Sequence, residues 1–448
     1  MKKINYIILA FLICLCSHLS AQQVLTLEES KQLTLQNNTE IKNSKLEVES
    51  ANQIKKSVFT SFFPNISAGG MIFEAQDPLM ELESEEKNLP VYDGNPANLG
   101  TATQYAYMRG NTVGMMKKGT VGFINAIQPV FTGGRIWNGN KFASVGKQAA
   151  ELKNKLTKDD LLIKTEEQYW QIVSLEEKFK TVEKYEEMLN SLLKQVGDAY
   201  NSGLVMKNDF LKVKVRLSEV LLNKSKLANG INLAKMAFCQ HLGIPYDSSL
   251  ALENELEIDE LPQTLYVDHE GALVKRTEYN LLELSVKSEE IQTKMKLGEF
   301  LPQVAVGVSG MYMKFDDGDD KTLGMAFGTV SVPISDWWSG AHELEERSIK
   351  EEIAKNNFKN NSELLLLQME RSWQKLTEAY KQYSLSVESL EQAEENMKVN
   401  QDSYDNGLIT TSDLLEAQAI LQEAEDRLTD AKTNYILMKT KYLQVTGR

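Results

Sequence analysis

Apolar residues along this chain follow two different periods. Over most of its length they recur at helical spacing: Leu175, Val182, Leu189 and Val196 stand seven apart, joined by Tyr185 and Leu192, and Tyr383, Leu390, Met397 and Tyr404 repeat the stripe later. Such heptads predict long helices packed as coiled coils. Two uninterrupted stretches without proline, about 136–200 and 341–404, predict helices of ~100 Å each. Shorter helices are expected at 27–61, 208–241, 266–299 and 411–446.

Four segments obey a period of two instead: "SAGGMIF" (67–73), "TVGFINAIQPVF" (120–131), "QVAVGVSGMYMKF" (303–315) and "TLGMAFGTVSVPI" (322–334). In the third, Val304, Val306, Val308 and Tyr312 alternate with Ala305, Gly307 and Ser309; in the fourth, Leu323, Met325 and Phe327 alternate with Gly324, Ala326 and Gly328. The expectation is two hairpins, 65–131 and 303–334, with one large apolar face and one small or polar face. That alternation is the strand pattern of an outer-membrane barrel. A strand of a soluble sandwich would carry less glycine on its second face.

The chain also repeats itself. "DAYNSGLVMKNDFLKVK" (198–214) returns as "DSYDNGLITTSDLLEAQ" (402–418), pairing Tyr200 with Tyr404, Gly203 with Gly407, Leu204 with Leu408 and Asp209 with Asp413 at an offset of 204. Upstream of the hairpins the offset is 238, carrying Thr39 to Thr277, Glu40 to Glu278 and Pro64 to Pro302. The 34-residue difference must lie inside the first hairpin. It therefore has a long loop, about 74–119, whose acidic and turn-forming stretch reads as a solvated surface loop, while "DDGDDK" serves the second. Internal duplication is the organising fact. It predicts a first repeat at 22–241, a linker at 242–265 and a second repeat at 266–448. Each repeat is a long helix flanked by shorter ones, with a hairpin at one end and a turn (201–207, 405–410) at the other. Gly203 and Gly407 are placed to end a helix in the left-handed conformation, with polar residues after them to cap the next one.

"MKKINYIILAFLICLCSHLSAQQ" reads as a secretory signal, residues 1–21, with cleavage after Ala21; its apolar run is too short to span a membrane. Removing it takes away Lys2 and Lys3 and moves the net charge from −14 to −16. An exported chain this acidic is a poor nucleic-acid binder. Cys14 and Cys16 leave with the signal, so Cys239 remains alone, without a disulfide partner, on an apolar helix face. No later apolar run is long enough for a transmembrane helix, so any membrane entry must use strands.

Catalytic chemistry has no residues to stand on. His241, His269 and His342 are scattered without ligand spacing, there is no HExxH or GxSxG, and "GMMKKGT" lacks the lysine that a phosphate loop places after its second glycine. The sequence predicts neither an enzyme nor a cofactor or metal site.

Taken in order, the duplicated helix, hairpin, helix layout, "FFPNIS" and "FLPQVAV" opening the first strands, "QPVFTGGR" and "VPISDWWSG" closing the second, "LGIP" at 242–245 and the two Tyr-x-x-Gly-Leu turns resemble the TolC-like outer membrane efflux protein family across nearly the whole mature sequence. The resemblance implies a mainly α chain with a membrane β-barrel portion: a homotrimer in which four strands per chain close a twelve-stranded barrel, continued by a coiled-coil periplasmic tube. It implies an outer-membrane location within outer-membrane lipid, most of the chain in the periplasm, and passive service as exit duct of a tripartite efflux or type I secretion system. Its implied partners are a periplasmic adaptor (membrane fusion) protein and an inner-membrane transporter of the RND, ABC or a similar class. Assembly is also a physical need, since four strands leave two open edges that lipid does not tolerate. A periplasmic coiled coil without transport activity is the alternative; it explains the heptads and leaves the glycine-rich hairpins unexplained.

Carried over residue by residue, the resemblance places Asp209, Asp413, Glu416 and Tyr404 at a closed periplasmic aperture, with Gly203, Leu204, Gly407 and Leu408 in the tip turns that meet the adaptor. The chain departs from the pattern at Ile409, where an arginine completes the closing network. Plainer readings compete. Asp413 follows Thr410 at capping-box spacing, an acid in a first turn suits the helix dipole, and Tyr404 lies on the heptad stripe. Phe62, Phe63, Phe131, Phe300, Trp337 and Trp338 flank the strand ends and suit an interfacial belt or ordinary packing at a strand-to-helix joint.

Overall fold

The structure, a computed structural model, describes residues 24–254, 256–258, 260–316 and 320–448. The signal segment lies outside the described residues, as does the centre of "DDGDDK". In chain order the elements are β1 (Val24–Leu25), α1 (Leu27–Asn37), α2 (Thr39–Phe59), β2 (Asn65–Glu74), β3 (Met80–Ser84), β4 (Lys87–Pro90), β5 (Tyr105–Met108), β6 (Asn111–Met115) and β7 (Lys118–Thr132). Next come α3 (Arg135–Asn201), α4 (Lys207–Leu242), β8 (Ala251–Leu252), α5 (Pro262–Leu265), α6 (His269–Leu273) and α7 (Thr277–Glu299). The chain finishes with β9 (Gln303–Phe315), β10 (Lys321–Ser331), α8 (Trp337–Asp405) and α9 (Thr411–Val445). These elements fall into two compact units, one of helical segments (to Asn52, Val145–Lys287, Glu352–Arg448) and one around the strands (Gln53–Ser144, Ser288–Glu351).

The helical unit holds its core along the heptad stripe of α3. Val182, Tyr185, Leu189, Leu192 and Val196 are all buried, against Val213 and Val220 of α4 and Leu414 and Ala417 of α9. A second core gathers Tyr169, Trp170, Ile172 and Val173 of α3 with Phe238 and Leu242 of α4. There the parallel pair β1–β8 is clamped by the Tyr169 hydroxyl, which donates to the carbonyl of Glu253 at 2.7 Å. The second half builds its own core from Met369, Leu376 and Ala379 of α8 with Tyr435 and Tyr442 of α9.

Two helices expected to be continuous are broken, at equivalent points of the repeat. The expected helix 27–61 divides at Asn38, whose side-chain oxygen accepts from the Glu40 N–H at 2.8 Å while its amide donates to the His241 carbonyl at 2.8 Å. A short polar side chain that captures backbone groups locally competes with helix continuation. The expected helix 266–299 divides just before Thr277, next to buried Arg276. That guanidinium is fixed by Glu278 and by Gln368 Oε1 at 3.0 Å.

In the strand unit β10, β9, β7 and β2 form one antiparallel sheet in that order, so β10 and β2 are edges. Directly paired residues share a face. Val308 pairs with Ala326 and with Ala126, whereas Gly307 pairs with Phe327 and with Ile127. The expectation of one large face and one small face therefore needs correction. The large residues of β10 stand on the side opposite the valines of β9. The reason is packing: the Phe327 ring covers Gly307 so closely that a Cβ there would lie 2.5 Å from it, and Phe123 covers Gly69 likewise at 2.6 Å. Aromatic rings over cross-strand glycines fill and pin the register. The face carrying Ile66, Ile72, Ile124, Val304, Val306, Val308 and Val330 also holds Thr120, Gln128, Lys314 and Thr322, and the other holds Met71, Phe123, Met311, Leu323, Met325 and Phe327 together with Asn125 and Ser309, which are hydrogen-bonded at 2.5 Å.

The stretch 74–119 is exposed along most of its length and carries secondary structure of its own. It contains two further antiparallel ribbons, β3–β6 and β4–β5, because Met80, Leu82, Val113 and Met115 pair on one face and Glu81, Glu83 and Thr112 stand on the other. That alternation lay hidden in its acidic composition.

Candidate functional site

The two duplicated turns are built alike. α3 and α8 each end in a glycine with positive φ, 75° at Gly203 and 72° at Gly407, where a side chain would strain the backbone. The following N–H reaches back five residues, Leu204 to Ala199 and Leu408 to Ser403, both at 2.8 Å. This satisfies carbonyls that a helix end would otherwise leave bare. Leu204 and Leu408 are 80 % and 77 % exposed, and Met206, which the sequence reading passed over, is 77 % exposed.

Beyond the turns the copies diverge. Thr410 caps α9: its hydroxyl accepts from the Asp413 N–H at 3.3 Å, and the Asp413 carboxylate accepts from the Thr410 N–H and hydroxyl, both at 2.8 Å. These bonds, led by the Thr410 N–H, hold the Asp413 carboxyl below the ordinary carboxylate range. The cap of α4 is Met206, which offers no side-chain acceptor, so Asp209 keeps its carboxylate free of a capping box and 3.8 Å from Lys212. Lys212 Nζ also donates to Ser412 Oγ at 2.6 Å, bridging the starts of α4 and α9.

The structure thus brings Asp209, Lys212 and Ser412 together, and Lys212 also adds to the pull that keeps Asp413 ionised. Sequence reasoning missed Lys212. Its signal was available, since it occupies the repeat position that Glu416 fills in the second half. Glu416 is exposed on α9. Tyr404 is half-buried against the Leu192, Val196 and Leu414 cluster, with its hydroxyl 3.5 Å from Thr411 Oγ1.

Around the strand ends, Phe59 makes edge contacts with Phe62 and Phe63 at 5.6 and 5.7 Å, and Trp337 Nε1 donates to the Phe300 carbonyl at 2.8 Å. Phe63, Phe131 and Trp337 remain about half exposed, and Trp338 is 82 % exposed in the first turn of α8. Among the described residues no group of His, Cys, Asp and Glu is arranged to hold a metal, and no helix is long and apolar enough to cross a membrane.

Residues 279–446 match the family described as Outer membrane efflux protein. Solved structures extend the likeness to the whole fold. The outer membrane protein VceC of Vibrio cholerae superposes with a TM-score of 0.72 at 14% identity, over 94% of this chain and 96% of that one. The CmeC outer membrane channel of Campylobacter jejuni gives 0.74 at 13% identity over 94% and 85%, and the MtrE outer membrane channel of Neisseria gonorrhoeae, in its open state, 0.73 at 13% over 94% and 88%. No curated protein sequence matches the chain. At these identities the solved structures share the fold of the chain, and the family match covers its second half.

Proposed function

We propose that the protein is the outer-membrane exit duct of a tripartite efflux or type I secretion system, working as a homotrimer with a periplasmic adaptor and an inner-membrane transporter. The observation that carries this reading is the four-stranded sheet with two unpaired edges, β10 and β2. Strand directions alternate across β2, β7, β9 and β10, so β10 of one copy set against β2 of the next stays antiparallel. Head-to-tail repetition of that contact closes a ring without an edge, which is the condition for a sheet in lipid. With three copies the ring has twelve strands. The half-exposed aromatics and Trp338 suit the headgroup level of such a barrel.

At the turns, Leu204, Met206 and Leu408 offer apolar knobs to an adaptor, and Asp209, Asp413 and Glu416 line the aperture with Lys212 among them. The duct supplies no energy of its own. Purified protein added to a planar bilayer should give discrete conductance steps. A protein that binds no detergent and never conducts would instead be the structural coiled coil.

A further inference from the structure

Asp426 on α9 shares a crevice of about 340 Å³ with Leu175 and Lys178 of α3, Asn223 and Lys226 of α4, and Gln422. Its Oδ1 is sealed from solvent and has no hydrogen-bond partner. Lys178, the cation whose field reaches it, is already engaged one turn further on, with Nζ 2.6 Å from Asp430 Oδ1 and 2.7 Å from Oδ2. Ser174 Oγ also points at Asp430, 3.4 Å away. The second cation in the crevice, Lys226, is exposed on α4 and makes no ion pair among the described residues.

We propose that Asp426 is a proton-binding site that couples the packing of α3, α4 and α9 to pH, the seam tightening when the carboxyl is protonated and loosening when it is ionised. A carboxylate with one oxygen shut away from any donor is disfavoured by lost hydration. Asp430 and Glu425 on the same helix add repulsion and Lys178 opposes it; burial dominates, and together they push Asp426 up to about 6. The native carboxyl holds its proton more tightly than the unfolded chain, whose ordinary value is 3.8. The packed state therefore gains as pH falls through about 6 and gains nothing further once pH is below that ordinary value. Between mildly alkaline and mildly acidic solution this amounts to ~10-fold in the opening equilibrium of the seam. α3 belongs to the first half of the duplication and α9 to the second, so the proton acts where the halves meet. The inference goes beyond the exit-duct reading and does not depend on it.

Hydrogen–deuterium exchange of the full-length protein in detergent, corrected for intrinsic rates and compared with Asp426→Asn, tests it. At about pH 7.5 the amides flanking Asp426 in α9 should exchange on the order of 100-fold faster in the wild type than in the variant, the ratio should fall ~10-fold by about pH 5, and the two should converge only as pH drops below the ordinary carboxylate value. A wild-type to variant ratio that does not change with pH overturns the proposal. Lys178→Gln keeps the carboxyl and removes the cation that opposes protonation, so it should move the wild-type midpoint upward even if Asp426→Asn assembles poorly. A midpoint that stays or falls also overturns it.

Discussion

Gly203 and Gly407 hold the same left-handed conformation and close the same backbone hydrogen bonds, yet the helices that follow them begin differently. At the cap position stand Met206 and Thr410; three residues on, Asp209 faces a lysine while Asp413 is bound into a box; at the next pair of equivalent positions stand Lys212 and Glu416. The backbone of such a turn has one inexpensive solution, a residue that tolerates positive φ, so both copies keep it. The first turn of a helix has several, and there the copies separated. One aspartate became a structural cap, and the other stayed available for charge.

The comparison breaks most visibly at the caps. Thr410→Ala should cost about 1 kcal/mol of stability, whereas Met206→Ala should cost little, since no side-chain bond is lost there. Met206→Thr places a hydroxyl three residues before Asp209 and should stabilise the turn by rebuilding the box. Thermal unfolding of the three variants reads these differences, and equal losses at the two alanines would erase the distinction. The pH dependence has a definite sign. The depressed Asp413 carboxyl contributes stability above the ordinary carboxylate value, lost as pH falls through its lower folded value. Thr410→Ala should therefore flatten the acid limb of the stability curve while Met206→Ala leaves it unchanged.

A smaller effect sharpens the comparison through charge. If these residues line the aperture, Asp209→Asn and Asp413→Asn should each weaken cation preference in planar bilayers, and Lys212→Gln should strengthen it, by releasing Asp209 from its cation. Reversal potentials under a salt gradient measure this. Selectivity indifferent to all three would remove the tip acids from the aperture and leave them as features of helix starts.

Much of this was legible in the sequence, for identifiable reasons. The heptad positions Val182, Leu189 and Val196 are buried because a period near 3.5 has one packing solution, and the turn glycines announce themselves by type. The breaks at Asn38 and before Thr277 were not read, because each depends on tertiary partners, the His241 carbonyl for Asn38 and Gln368 beside Arg276. Strand alternation was visible within β9 and β10, but the face each set occupies is fixed by register, which put Phe327 over Gly307 rather than beside Val308. Lys212 was missed because its meaning lies in Ser412, 200 residues away. The proton site at Asp426 is likewise a property of three helices and of none alone.

The central claim is that the edges β10 and β2 find their partners in further copies of the same chain. Native mass measurement of the protein extracted from outer membranes in mild detergent tests it most directly. The account predicts a single species of three chains that retains its strand signal by circular dichroism and dissociates only on heating. A stable one-chain particle with its strand content intact would contradict it.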